Sequence, residues 1–194
     1  RKGINEIVQS REGMKSTFES YLAGADASGN TSLRSDRVVK KGRVGDAKGG
    51  PDVSAALEGK SGTFFKTGST GVYEFSAYAP LNIPGLTWLI LTTGSVEEVL
   101  TLKKEGESED YFQLYQKQYG TYDIFIIEPD GQVFYTVARE ADYQTNLVDG
   151  KWKDTHLGKL FRQAVKSKKF AISDLLPYAP SNDAPAIFGA QPII

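Results

Sequence analysis

The stretch from Tyr122 to Asp149, YDIFIIEPDGQVFYTVAREADYQTNLVD, restricts the fold more than any other part of the chain. Asp123 to Ile127 alternates polar with apolar residues and closes as an apolar run, Pro129-Asp130-Gly131 is turn chemistry, and Val133 to Val137 resumes strand-like residues. That order reads as a β-hairpin. The same grammar occurs upstream, where Thr17 to Gly24 reads as a strand, Asp26 to Asn30 as a turn and Ser32 to Ser35 as the return strand. In both places a polar loop, a short helix and further strands follow. The 194 residues therefore divide into two versions of one α+β module, each of roughly 100 residues and large enough for one core.

Within the first module, Ile4, Ile7, Val8 and Met14 fall at helical spacing and predict an amphipathic N-terminal helix ending at Gly13. Arg37 to Gly50 is rich in glycine and basic residues and has no apolar period, which predicts a mobile, solvated loop. Asp52 to Leu57 predicts a short helix started by the Asp and stopped at Gly59. Strands over Gly62 to Lys66, Val72 to Ala79 and Leu86 to Thr92 follow, and Ser95-Val-Glu-Glu98 has the form of a capping box. Lys103 to Asp110 interrupts the apolar pattern with charge and sets the division into residues 1–100 and 101–194. Beyond it, Phe112, Tyr115 and Tyr119 predict a connecting helix and Leu157 to Ser167 another, with strands over Lys169 to Asp174 and Ala184 to Ala190. Counted against the first module, one strand is missing, so the second sheet is read as truncated, completed by another chain or built differently.

Composition narrows the function classes. A net charge of −1 and the lack of an Arg/Lys stripe interleaved with aromatics argue against nucleic acid as a partner. The chain has no cysteine, which removes disulfides, thiolate catalysis and Cys-ligated metals together. No apolar run approaches the roughly 20 residues that cross a bilayer. The start at Arg1, with no signal-peptide pattern, reads as a piece of a longer protein. Phosphate-loop, dinucleotide, HExxH and Gly-x-Ser-x-Gly patterns are all missing, and the sole histidine, His156, has neither a second imidazole nor a cysteine to work with. These residues predict no enzyme activity, no catalytic or metal-ligating set and no cofactor.

Binding has more support. Tyr135, Tyr143, Trp152 and Tyr178, with Asp154 and Asp174 near them in sequence, combine aromatic walls with carboxylates, a composition suited to a small polar or cationic ligand. The competing reading makes Tyr135 and Trp152 packing residues and the aspartates turn caps.

The stretch YDIFIIEPDGQVFYTVAREADYQTNLVDGKWKDTHLGKLFRQA, followed by FAISDLLPYAPSNDAPAIFGAQPI, resembles a PAS-like Cache module of the double Cache type, from the extracytoplasmic part of bacterial chemoreceptors and sensor histidine kinases. Residues 13–100 resemble one as well, through GMKSTFESYLAGAD, LRSD and VYEFSAYAPLNIPGLTWLIL. The resemblance implies two modules, each a central antiparallel sheet of about five strands flanked by helices, with a long N-terminal helix packing along them. It implies a periplasmic or extracellular region of an inner-membrane protein, lying between transmembrane helices, dimerising with a second copy, and reporting a small-molecule ligand to a cytoplasmic methyl-accepting or kinase domain of the same parent chain. By the same resemblance Asp174 sits where family members place a ligand-contacting carboxylate. The Arg-x-Trp-Tyr type of motif that holds an amino-acid carboxylate is replaced here by GKWKDTH around Trp152, so the resemblance does not imply an amino-acid ligand. The alternative expectation is a structural dimerisation module of a membrane-anchored protein that binds no metabolite.

Overall fold

A computed structural model describes residues 2–104 and 106–193, so Arg1, Glu105 in the charged interruption and Ile194 lie outside the described residues. The chain divides into two compact units, Arg1–Leu100 and Thr101–Ile194.

The first unit is α+β, built on a five-stranded antiparallel sheet. Its strands are β1 (Glu19–Ala25), β2 (Thr31–Leu33), β3 (Gly62–Thr67), β4 (Tyr73–Ile83) and β5 (Leu86–Ser95), in the order β2-β1-β5-β4-β3. Three local hairpins make most of this order. Asp26 accepts the N–H groups of Ser28 and Asn30 to close β1–β2, and Gly85, at φ 77°, supplies the left-handed residue of the two-residue β4–β5 turn. The remaining pairing is long-range: β5 lies against β1 from Glu19↔Thr93 to Gly24↔Trp88 and so joins hairpin β1–β2 to hairpin β3–β4.

Three helices accompany the sheet. Helix α2 (Pro51–Leu57) buries Val53 and Ala56 against Tyr21, Ala23, Leu33, Leu89 and Leu91, which is the core of the unit. Helix α3 (Val96–Leu100) starts at Ser95 as expected, but Glu98 does not close a capping box. Its carboxylate instead accepts from the backbone and hydroxyls of Ser16 and Thr17, 81 to 82 residues away. The N-terminal helix α1 covers only Lys2–Val8, so the long helix expected from the resemblance is not seen among the described residues. Asn5 and Gln9 turn to Asp36, and no apolar residue occurs from Ser10 to Gly13 to continue the buried stripe.

The second unit contains no five-stranded sheet among its described residues. Helix α4 (Tyr111–Tyr119) leads into the hairpin of β6 (Phe125–Ile127) and β7 (Val133–Thr136), turning at Gly131 with φ 99°. After α5 (His156–Ser167) come β8 (Ala171–Ile172), β9 (Leu176–Tyr178), β10 (Ala184–Ala186) and β11 (Gly189–Ala190). β8 pairs with β11 and β9 with β10. The register slips by one residue between Ile172↔Gly189 and Leu176↔Ala186, so these four pieces are one antiparallel hairpin interrupted by a bulge at Asp174–Leu175. Among the described residues the unit thus has two hairpins, with no strand bonding one to the other. Val133, Leu147, Leu157, Phe161 and Tyr178 form its core.

Asp110 starts α4 through a complete capping box with Gln113 and also accepts the Tyr135 hydroxyl at 3.0 Å. Asp110→Ala removes both functions, and we expect a loss of about 1–2 kcal/mol. Urea unfolding followed by amide exchange in α4 measures it; Asp110→Asn, which keeps the cap, should recover at least half.

Candidate functional site

The second unit carries an open cleft of about 1140 Å³. One wall is β6 with Phe125, Ile126 and Ile127; another is α5 with Phe161, Ala164 and Val165; a third is the returning hairpin from Ala184 to Ala190. Phe125, Tyr178 and Phe188 bring aromatic rings to its lining, with Phe188 4.8 Å from Tyr178 and 6.0 Å from Phe125, and also 5.0 Å from His156. Apolar walls of this size suit an organic guest rather than a bare ion.

One end of the cleft is polar, where Asp123, Glu140, Tyr178 and Ser181 line it. Glu140 accepts from Tyr122 Oη at 2.6 Å and from Ser181 Oγ. Asp123 precedes β6, and its Oδ1 collects the backbone N–H groups of Ile124, Val137 and Ala138 at 2.7 to 2.9 Å. Its Oδ2 is buried with no hydrogen-bond partner. Behind Tyr178, the fully buried Asp142 accepts the phenol O–H on Oδ2 at 2.6 Å while its Oδ1 is left without a partner. Burial raises both carboxyls above the ordinary aspartate range, and mutual repulsion with neighbouring carboxylates adds to it. Burial and the hydrogen bond to Asp142 push the Tyr178 phenol up as well. A donor group or cation arriving beside Asp123 would restore an interaction that folding has taken from its Oδ2.

The six residues singled out from sequence are dispersed. Tyr178 lines the cleft. Tyr135 is buried, its hydroxyl on Asp110 and its ring 5.2 Å from Phe112. Trp152 packs against the core and donates its indole N–H to the Ala141 carbonyl at 3.0 Å. Tyr143 lies under the Arg139 guanidinium at 4.9 Å. Asp154 is exposed in the turn before α5, and Asp174 is exposed in the bulge. The structure therefore brings Tyr178 together with Asp123, Glu140 and Asp142, none of which sequence reasoning selected. Asp123 carried a weak signal, a carboxylate on the polar side of an alternating strand; Glu140 and Asp142 sit in an aperiodic loop that carried none.

The first unit also holds buried charge, but it is self-satisfied. Glu19, with no exposed surface, accepts from Arg37 Nε and Nη2 at 2.9 and 2.5 Å and from the N–H groups of Val38 and Val39 at 2.9 Å. Glu74 is paired with Lys40, and Asp52 with Lys66 and Ser76. Burial works to raise the Asp52 carboxyl, yet the Lys66 and Ser76 bonds outweigh it and leave Asp52 below the usual range. The segment after Arg37, expected to be mobile, is thus pinned to the sheet, because its cations face carboxylates on β1 and β4. Asp52 is also not the α2 cap, a position held by Gly50.

Among the described residues no cluster of His, Cys, Asp or Glu could hold a metal ion, and no helix is long and apolar enough to cross a membrane. Comparison of the chain with family models, with curated proteins and with solved structures finds no match.

Proposed function

We propose that this chain is the ligand-sensing, non-enzymatic extracytoplasmic region of a membrane-bound signalling receptor of the chemoreceptor or sensor-kinase kind, working as a homodimer with the membrane-spanning and cytoplasmic parts of its parent chain. The observation that carries the reading is the aromatic-walled cleft with a polar end at which the buried Oδ2 of Asp123 has no hydrogen-bond partner. The resemblance of both units to Cache modules and the hairpin-based architecture support it. A guest preferring one arrangement of the cleft walls shifts the population between arrangements, and that shift is the signal.

Calorimetric screening of the whole chain against small polar and cationic metabolites tests the reading. The expected result is a ligand whose affinity falls at least tenfold in Asp123→Asn and Glu140→Gln, while Trp152→Ala leaves it within about twofold. A screen without a hit, or a hit indifferent to both carboxylate changes, removes the site. Asp174→Ala is the companion variant: if it alone abolishes binding, the ligand sits at the bulge to which the resemblance points.

A structural dimerisation role is the second reading, favoured by α4, which buries none of its residues and exposes Tyr111, Leu114, Tyr115 and Tyr119.

A further inference from the structure

The two outer strands of the first unit's sheet are finished differently. On the outer side of β2, Leu33 donates its N–H to the Asp46 carbonyl, Gly45 donates to Leu33 and Lys48 to Thr31, and Ser32 is bridged to Ala47, so the chain closes that edge itself. β3 is the other outer strand, bonded among the described residues to β4 alone. Its ladder runs from Gly62↔Tyr78 to Thr67↔Tyr73 without a register shift. Gly68 N donates to Val72 O, so the alternation of an antiparallel pair turns Gly62, Phe64 and Lys66 inward to β4 and the N–H and C=O groups of Thr63, Phe65 and Thr67 outward.

Sheet edges are guarded against pairing with another chain by proline, a bulge or an outward lysine. β3, GTFFKT, has no proline and no bulge, and its one cation, Lys66, is held by Asp52. What faces outward is an uncharged strip of Thr63, Phe65 and Thr67, all exposed, with the Phe65 ring stacked on Tyr73 at 6.4 Å and 55% open to solvent.

That strip is complementary to itself. Two copies of β3 running antiparallel about a two-fold axis at Phe65 set Thr63 opposite the second copy's Thr67 and the two Phe65 rings side by side on one face, and every outward N–H and C=O of the strip finds a partner. An axis at Lys66 would put two lysines face to face and leave Thr63 outside the pairing; an axis at Phe64 would leave out Thr67. Growth stops at two copies, because the contact uses the β3 edge of both and the β2 edge is already closed.

We infer that β3 is the contact between two copies of this chain, joining their five-stranded sheets into one across a two-fold axis at Phe65. The inference rests on the receptor reading for the presence of a second copy, and the two fail separately. A dimer through β3 that binds no metabolite strikes the reading and keeps the contact; a monomer whose ligand depends on Asp123 does the reverse.

Sedimentation equilibrium of the whole 194-residue chain, with amide hydrogen exchange on the same samples, tests the contact. The expected result is a monomer–dimer equilibrium in which exchange at the Thr63, Phe65 and Thr67 amides slows at least tenfold as the dimer fills. Phe65→Lys sets like charges opposite each other and should weaken the dimer at least tenfold. Phe65→Glu should do the same, and an equimolar mixture of the two variants should dimerise again. Thr63→Pro deletes one outward N–H and no bond to β4, and should weaken the dimer while the Phe64 amide keeps its protection. A chain that stays monomeric at millimolar concentration, a dimer that leaves those three amides unprotected or withstands Phe65→Lys, or a mixture that does not recover overturns the inference.

Discussion

Glu19→Ala should cost the first unit about 3–5 kcal/mol, the largest single effect expected in the molecule. Glu19 is fully buried and collects four donors, two from Arg37 and two from the backbone of Val38 and Val39. Truncation leaves the Arg37 guanidinium, which also lies 4.2 Å above the Tyr21 ring, without its counter-charge in a site only slightly open to water. It also frees two backbone N–H groups, so the segment from Arg37 to Lys48 should lose its anchorage before the sheet does. Urea unfolding gives the magnitude, and amide exchange at Val38 and Val39 gives the order of events. Glu19→Gln keeps the shape and part of the acceptor capacity and should cost roughly half as much. If Glu19→Ala unfolds within about 1 kcal/mol of the parent, the pinning role assigned to this carboxylate is wrong.

Tyr178→Phe should destabilise the second unit by about 1.5–3 kcal/mol at pH 7 and by much less in mild acid. The ring stays in the core, so the packing of Tyr178 against Phe188 and His156 is kept. What is lost is the hydrogen bond from the Tyr178 phenol to the buried Asp142 carboxylate. Burial already holds the Asp142 carboxyl above 3.8, and the Tyr178 bond is the main influence pulling it down. Without that bond it rises further.

A carboxyl whose folded value exceeds its unfolded one keeps more protons folded than unfolded, so stability is fully present below the unfolded value and falls as pH rises through the folded one. The variant should therefore show a steeper decline than the parent between about pH 4 and neutrality. Asp142→Asn, which cannot ionise, should flatten the decline. Unfolding at pH 4.5 and 7.5, followed by amide exchange in α5, measures both. The first unit should not follow this trend. Asp52 there has a lowered value, so its contribution is present above 3.8 and lost only as pH falls below it.

Local signals carried the hairpins and helices. The β1–β2 and β6–β7 hairpins, β3, β4, β5, α2 and α5 all lie within a few residues of where alternation, turn residues and helical spacing put them, because each is set by contacts between near neighbours in the chain. Reading failed where a residue's role depends on a distant partner. Glu98 has the spacing of a capping box, yet its carboxylate serves Ser16 and Thr17 across the fold. Asp52 has the chemistry of a cap and is spent on Lys66 and Ser76. Trp152 and Tyr135 have the composition of a pocket wall and are committed to packing and to Asp110.

The residues by themselves determined an α+β chain of two similarly ordered parts, the placement of its hairpins, and the absence of cysteine chemistry. Periodicity and turn propensity act over a few residues and can be read from them directly. Only the tertiary structure decided that β5 joins two hairpins in one unit while no strand does so among the described residues of the other, and that Asp123 and Glu140 meet Tyr178 at the end of a cleft with Asp142 behind it. Pairing between hairpins and the burial of a carboxylate depend on which distant segments exclude water together, and no window of neighbouring residues contains that information.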